Sequence, residues 1–249
     1  MNRTRFEKIL AVATAVLLWQ LAAVTIGEEV LLVSPFKVLL RLSELIFEAE
    51  FWGTILFSFK RITLGFFIAL VSGTILAILS YRFRVAEVFL WPYISIIKAT
   101  PVASFVILCL IWLSSSQLPV FIAFLMAVPI IYTNMLQGFK STDSKMLEMA
   151  EIFRFSFGKK LLYIYFPQIK SHFVSACSVS LGLSWKAGIA AEIIGIPDGS
   201  MGEMLYQAKL YLATADLFSW TVTIILVSVL FEKAVMFIIS RLFDRLEDL

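Results

Sequence analysis

The chain has 249 residues, of which 60% are hydrophobic and 16% charged, with a net charge of +3 and a mean hydropathy of +0.92. That much apolar surface excludes a water-soluble globule, because only lipid can act as its solvent. The small charge excess gives no ground for nucleic-acid binding, and Cys109 and Cys177 both lie in apolar runs, where isolated cysteines read as small hydrophobes rather than as a disulfide or metal site.

Apolar runs of spanning length at 9–26, 62–80, 88–113, 118–136, 174–196 and 217–243 predict an all-α polytopic membrane protein with six transmembrane helices. The first run follows Arg3, Arg5 and Lys8 and has the outline of a signal peptide. Its length, and Glu28 and Glu29 following without a small-residue cleavage site, favour an uncleaved span. Pro35 then opens a segment with Val38, Leu39, Leu42, Leu45 and Ile46 on one face and Lys37, Arg41, Glu44 and Glu48 among the rest, which predicts an interfacial helix. The chain accordingly divides into an N-terminal part, 1–58, and a core, 59–249.

With the N-terminus inside, thirteen lysines and arginines fall on the cytoplasmic side, against five outside: Lys37, Arg41, Lys60, Arg61 and Lys209. This satisfies the positive-inside bias, puts both termini in the cytoplasm and leaves Trp52, Trp112 and Trp220 near the outer ends as an aromatic belt.

Ionisable groups inside spans are costly and tend to face a cavity or a partner, which singles out Lys98, Lys186 and Glu192. Lys98 stands three residues before Pro101, which lacks an amide donor and interrupts the third span. The break either lines a pathway or is a packing kink with Lys98 snorkelling to the interface. Lys186 at a pore favours an anionic solute, its alternative being an intersubunit ion pair. Glu192, nearer the outer end, either supports a gate or bonds to neighbouring backbone. Trp185 either closes a hydrophobic gate or packs. The stretch 195–202, with Pro197, Asp198 and Gly199, reads as a turn at the outer mouth. Glu232 and Lys233 anchor packing near the inner interface.

Between the fourth and fifth spans lies a polar island, 139–170. Met146, Met149, Ala150 and Phe153 recur at helical spacing, as do Leu161, Leu162 and Tyr165, so two short amphipathic helices are expected around a turn at 155–158 that includes Gly158. Asp143 or Ser144 is the candidate cap of the first and Ser156 of the second. Glu148 and Glu151 on one arm, with Lys159 and Lys160 on the other, suit insertion into a groove of a water-soluble partner.

Within the island, Glu148, Met149 and Ala150 are followed at fixed offsets by Ile164, Phe166 and Pro167, a pattern that resembles the EAA loop of ABC-transporter permeases. Glu148, Ala150, Ile164 and Pro167 match that pattern, Met149 and Phe166 are conservative departures, and Arg154 occupies the family's glycine position. Residues 58–79 resemble the family's second-span signature and 181–195 its fifth; Ser200, Met201 and Gly202 replace its Gly-Leu-Gly triplet. The resemblance is to permeases importing nitrate, sulfonates, taurine and related solutes. It implies a type I importer permease fold with cytoplasmic coupling helices in a bacterial-type cytoplasmic membrane. It also implies a homodimer with two ATPase subunits beneath and an extracytoplasmic solute-binding protein outside. No phosphate-binding GxxxxGK[ST] loop occurs, so ATP hydrolysis is assigned to the partner, and no cofactor is expected. The alternatives are a permease for a neutral heterocycle or vitamin precursor and, in a different class, an ion-gradient secondary transporter. A membrane enzyme would need a catalytic cluster that the sequence lacks.

Overall fold

Local sequence sets where each helix begins. The structure, a computed structural model, describes residues 2–247, with the side chains of 2–5, 157, 161, 162, 244, 246 and 247 outside the described set. The readings at Arg3, Arg5, Leu161 and Leu162 therefore concern side chains that lie outside the described residues. Helix α1 runs over Asn2–Ile26 and α2 over Pro35–Leu45. The Ser34 hydroxyl caps α2 by accepting from the Lys37 amide, and Pro35 sits in the first turn, where its missing N–H costs nothing. Helix α3, Ala49–Arg82, is followed after one extended residue by α4, Arg84–Ala99, and then by α5, Val102–Cys109. Next come α6, Leu118–Lys140, and the short α7, Ser144–Ile152. One turn of helix, α8 (Phe157–Lys160), passes through a π-helical turn, Leu161–Tyr165, into α9, Phe166–Gly195. Helices α10, Met201–Leu210, and α11, Thr214–Glu247, complete the described chain.

Among the described residues five helices are long and apolar enough to cross a membrane, and a sixth crossing exists if α4 and α5 are counted as one bent span. The third span is therefore not the continuous helix that its hydropathy suggests. It turns through 103° at Thr100 and Pro101, because proline cannot donate the amide that would continue the ladder. The second span starts at Ala49 rather than at residue 62, so its 34 residues reach about 51 Å and overshoot the hydrocarbon layer. Position 58/59, taken from the sequence as a division, lies inside this unbroken helix. The second arm of the expected hairpin is likewise not a separate helix but the turn α8 and the π-helical turn, which run without a break into α9.

Helix α6 is the centre, with α3 on one side and α9 on the other. Lipid offers no hydrophobic drive between helices, so close van der Waals contact must hold them. Gly65, Ala69, Gly73 and Ala77 form a buried stripe along α3 at four-residue spacing. A Cβ on Gly65 would lie 2.4 Å from the Val120 carbonyl oxygen and 2.9 Å from the Ala123 side chain, so glycine sets the distance between the two backbones. Ile62 of α3 also fills the space above Gly188 of α9.

The N-terminal part is tied to the start of α11. Arg41 pairs with Asp216, and with Glu44 and Glu48 at 3.1 Å each. Burial alone would lower the pKa of the Arg41 guanidinium, but its hydrogen bonds to Asp216 and Glu44 outweigh that and raise it. Thr214 donates to the Val30 carbonyl at 2.8 Å and Ser219 to that of Val38 at 3.2 Å, while Trp19, whose indole donates to the Val33 carbonyl, meets the Phe218 ring at 5.5 Å. Trp220 departs from the expected belt. It is 5% exposed, its ring 5.2 Å from that of Phe51, whereas Trp52 and Trp112 are exposed.

Candidate functional site

Two joints terminate the α6–α9 pair, a hairpin at one end and, at the other, a turn anchored on the buried Glu192. The hairpin is α7 and its return to α9. Asp143, not Ser144, caps α7, its carboxylate accepting from the Lys145 amide at 2.8 Å. Ala150 is fully buried beneath the hairpin, and the chain reverses immediately after it. The Phe155 amide donates to the Ala150 carbonyl at 2.8 Å and the Arg154 amide to that of Glu151 at 3.0 Å, the paired bonds of a Schellman turn. That turn needs a left-handed residue, and Arg154 supplies it at φ 51°. Arginine thus stands in a conformation that glycine would adopt freely.

Ile164 is buried, and Phe166 stacks on Phe243 of α11 with ring centroids 4.4 Å apart. Tyr165 meets Tyr81 and Phe139 edge-on, and Pro167 lies exposed in the first turn of α9. Gly158 is exposed, with no atom close to where a Cβ would be. Glu148, Met149, Ile152, Phe153 and Arg154 all face outward, Ile152 being 78% and Phe153 68% exposed. Lys160 reaches Glu151 at 3.7 Å, an ion pair between the arms that is too exposed to stabilise much.

Sequence reasoning missed the residue that fixes the hairpin's base. The Gln168 side chain accepts from the Asp143 amide at 2.8 Å and donates to the Met146 sulfur at 3.1 Å. No motif marks such a glutamine; only its place one turn into α9, opposite the cap of α7, makes the bonds possible. His172 packs nearby against Gly138 and lies 3.4 Å from the Ser141 hydroxyl.

At the opposite end, Glu192 is completely buried and its Oε2 accepts from two sources, the Ser58 hydroxyl at 2.8 Å and the Gly202 amide at 3.1 Å. Ser58 in turn accepts from the Met201 amide at 2.9 Å. Ser200 caps α10 by accepting from the Glu203 amide at 3.0 Å. A carboxylate and a hydroxyl from two spans thereby satisfy the first amides of α10, where the helix dipole favours negative charge. Gly202 is needed for this approach, since a Cβ there would sit 2.3 Å from the Glu192 Cβ. The turn leading in is held by Ile196 in the left-handed region at φ 45°, rare for a β-branched residue. Glu192 is thus bonded to backbone, and its partner Ser58 carried no signal in the sequence beyond membership of a span signature.

The remaining candidates separate by exposure. Trp185 is buried, 6.1 Å ring to ring from both Phe59 and Phe231. Lys186, the next residue, is exposed on α9, while Ala187 and Gly188 beyond it are again buried. Lys98 is exposed near the end of α4 and donates to the Thr133 hydroxyl of α6 at 2.8 Å. That hydroxyl donates to the carbonyl of Pro129 at 2.6 Å, and Pro101 lies exposed at the bend. Glu232 accepts from Ser178 at 2.9 Å, linking α11 to α9. An exposed lysine on a spanning helix costs about 2.5–3.5 kcal/mol against hydrocarbon, so the faces bearing Lys98 and Lys186 are suited to water or to a second subunit rather than lipid.

Residues 62–247 match the model of the binding-protein-dependent transport system inner membrane component family. The chain is 23% identical to an aliphatic sulfonates transport permease protein of Bacillus subtilis over 239 residues, 95% of this chain and 84% of that one. It is 24% identical to the taurine transport system permease protein of Escherichia coli, covering 86% of this chain and 80% of that one. Identity reaches 29% with a bicarbonate transport system permease protein of Synechococcus elongatus, over 58% of this chain and 52% of that one.

Proposed function

We propose, from the premise that the chain belongs to the binding-protein-dependent transport system inner membrane components, that it is the membrane-spanning permease subunit of an ATP-driven importer for a small anionic solute. The observation that carries this reading is the hairpin. A rigid turn held by two backbone bonds presents Met149, Ile152 and Phe153 to the outside, flanked by Glu148, Arg154 and Lys159. Large apolar side chains at the tip of a charged loop are suited to the groove of a soluble protein, here one of two ATPase subunits. The hairpin end is then cytoplasmic, as the distribution of basic residues expects, and the Glu192 joint lies outside, where an extracytoplasmic solute-binding protein delivers.

ATP binding draws the ATPase pair together and displaces residues 148–167 as a lever. Because this lever continues without a break into α9, its movement is delivered directly to the spans. A second copy of the chain completes the passage, with Lys98, Lys186 and the bend at Pro101 along it, Trp185 and Glu192 supporting the wall from behind. The core, 59–249, carries these functions, and 1–58 adds the first span and the interfacial helix.

Anionic cargo is favoured by the exposed Lys98 and Lys186 and by relatives named for sulfonates, taurine and bicarbonate. A neutral heterocycle is the second reading. The test is solute-stimulated ATPase activity of the reconstituted complex, presented with sulfonates, bicarbonate or neutral heterocycles. Stimulation by anions that is lost in K186Q is the expected outcome. A response to heterocycles alone discards the anion assignment, and a chain that purifies without an ATPase and transports on an ion gradient discards the importer.

A further inference from the structure

At the hairpin end of the bundle one extended residue, Phe83, with φ −128° and ψ 108°, separates α3 from α4 and sets Arg82 and Arg84 on either side of itself. Two clefts open at this corner, and Arg84 borders both. One, of about 550 Å³, has Tyr81, Glu87, Trp91 and Lys140 among its other walls. The other, of about 620 Å³, is bordered by Arg82, Phe83, Val85 and Phe89. Lys140 is matched by the Glu87 carboxylate at 2.5 Å. Neither Arg82 nor Arg84 has a carboxylate partner among the described residues; Arg82 lies over the Phe83 ring at 5.6 Å. Two positive charges are therefore uncompensated. Around them the surface is apolar, Val85 being 81%, Phe89 65% and Trp91 70% exposed.

We propose that this corner is a binding site for an anionic phospholipid of the inner leaflet. The guanidinium forks of Arg82 and Arg84 take the phosphate, and Val85, Phe89 and Trp91 take the upper acyl chain. Guanidinium groups match phosphate oxygens two at a time, and basic pockets beside spanning helices at the cytoplasmic surface suit acidic headgroups. A free phosphate would leave the apolar walls in water, whereas a lipid covers them. A second copy brought onto the same patch across a two-fold axis would set like charges against each other. The assignment to the inner leaflet rests on the orientation proposed above.

The test uses the full-length chain purified with its partner subunits and examined by native mass spectrometry with phosphatidylglycerol, phosphatidylcholine or glycerol 3-phosphate added. Phosphatidylglycerol should remain bound, and R82Q/R84Q should weaken its binding roughly 25-fold, about five-fold per arginine. Phosphatidylcholine should bind weakly to both forms, and glycerol 3-phosphate should displace nothing. R241Q, which alters a basic residue at the end of α11, should leave the adduct unchanged. Equal retention by wild type and R82Q/R84Q, an equal loss in R241Q, or displacement by glycerol 3-phosphate overturns the site. So does loss of the ATPase or of a second copy from R82Q/R84Q with lipid binding intact. Orientation is read separately, from labelling of K145C on the hairpin by a membrane-impermeant maleimide. Labelling from outside discards the inner-leaflet placement together with the proposed topology, whereas labelling from inside without lipid binding discards the lipid site alone.

Discussion

The two joints at the ends of α9 use the same device to opposite ends. Each reverses the chain through a non-glycine residue in the left-handed region, Arg154 after α7 and Ile196 after α9, at a cost of about 1–2 kcal/mol apiece. At the Ile196 joint the anchor is buried: Glu192 Oε2 and Ser58 take the first amides of α10, although Glu192 Oε1 is left without a partner among the described residues. Around Arg154 the chain stays exposed, while Gln168, Ala150 and Ile164 hold it at the base. The difference teaches that one joint is anchored on buried side chains of the chain itself, whereas the other carries its large apolar side chains on the outside.

The comparison breaks first at Gly202. G202V places a branched side chain where the Glu192 Cβ already lies 2.3 Å away, so α10 must leave α9. Overpacking of this kind costs about 1–3 kcal/mol or more, and the protein should fail to accumulate or should lose more than any other variant here in thermal unfolding. Next in size is E192A, which strands the Ser58 hydroxyl and the Gly202 amide at about 1–3 kcal/mol. E192Q keeps both the volume and an acceptor and should unfold closer to wild type; equal losses in the two would show that the joint depends on the carboxylate itself rather than on an acceptor of that shape.

The hairpin should behave in the reverse way. I152D/F153D leaves thermal unfolding unchanged, because both side chains are exposed, yet should abolish co-purification of the ATPase. A fall in stability with the partner retained would end the docking assignment. The smallest effect is at the turn itself. R154G relieves the left-handed strain and should raise stability by up to about 1 kcal/mol, whereas R154V should lower it, and both can be read from the unfolding midpoint with ATPase association as the second measurement.

How much of this was legible in the sequence follows from which forces are local. Hydropathy located the spans because burial in lipid is a property of composition, and the offset from Glu148 to Pro167 located the hairpin. Arg154 was visible as a misfit at a glycine position, and its positive φ is the physical content of that misfit. Pro101 marked the break, but hydropathy does not distinguish a kink from a turn of 103°, since direction depends on what the two halves pack against. Glu192 was visible as a costly charge; that Ser58 and Gly202 receive it was not, because the contacts join residues 134 and 10 positions away. Trp220 resembled a belt residue until Phe51 of α3 covered it. Gln168 was silent because a lone glutamine has no pattern.

The narrow gap between α3 and α6 has a mechanical corollary. With Val120 and Ala123 seated against Gly65, and Ile131 against Gly73, sliding one helix along the other would drive main chain into main chain. The pair is a stiff beam, and Ser58 is mounted on it. Displacing the α7 end of α6 would therefore shift α3 and its Ser58 with it, whereas the α4–α5 elbow at Pro101, turned through 103°, lies outside that beam.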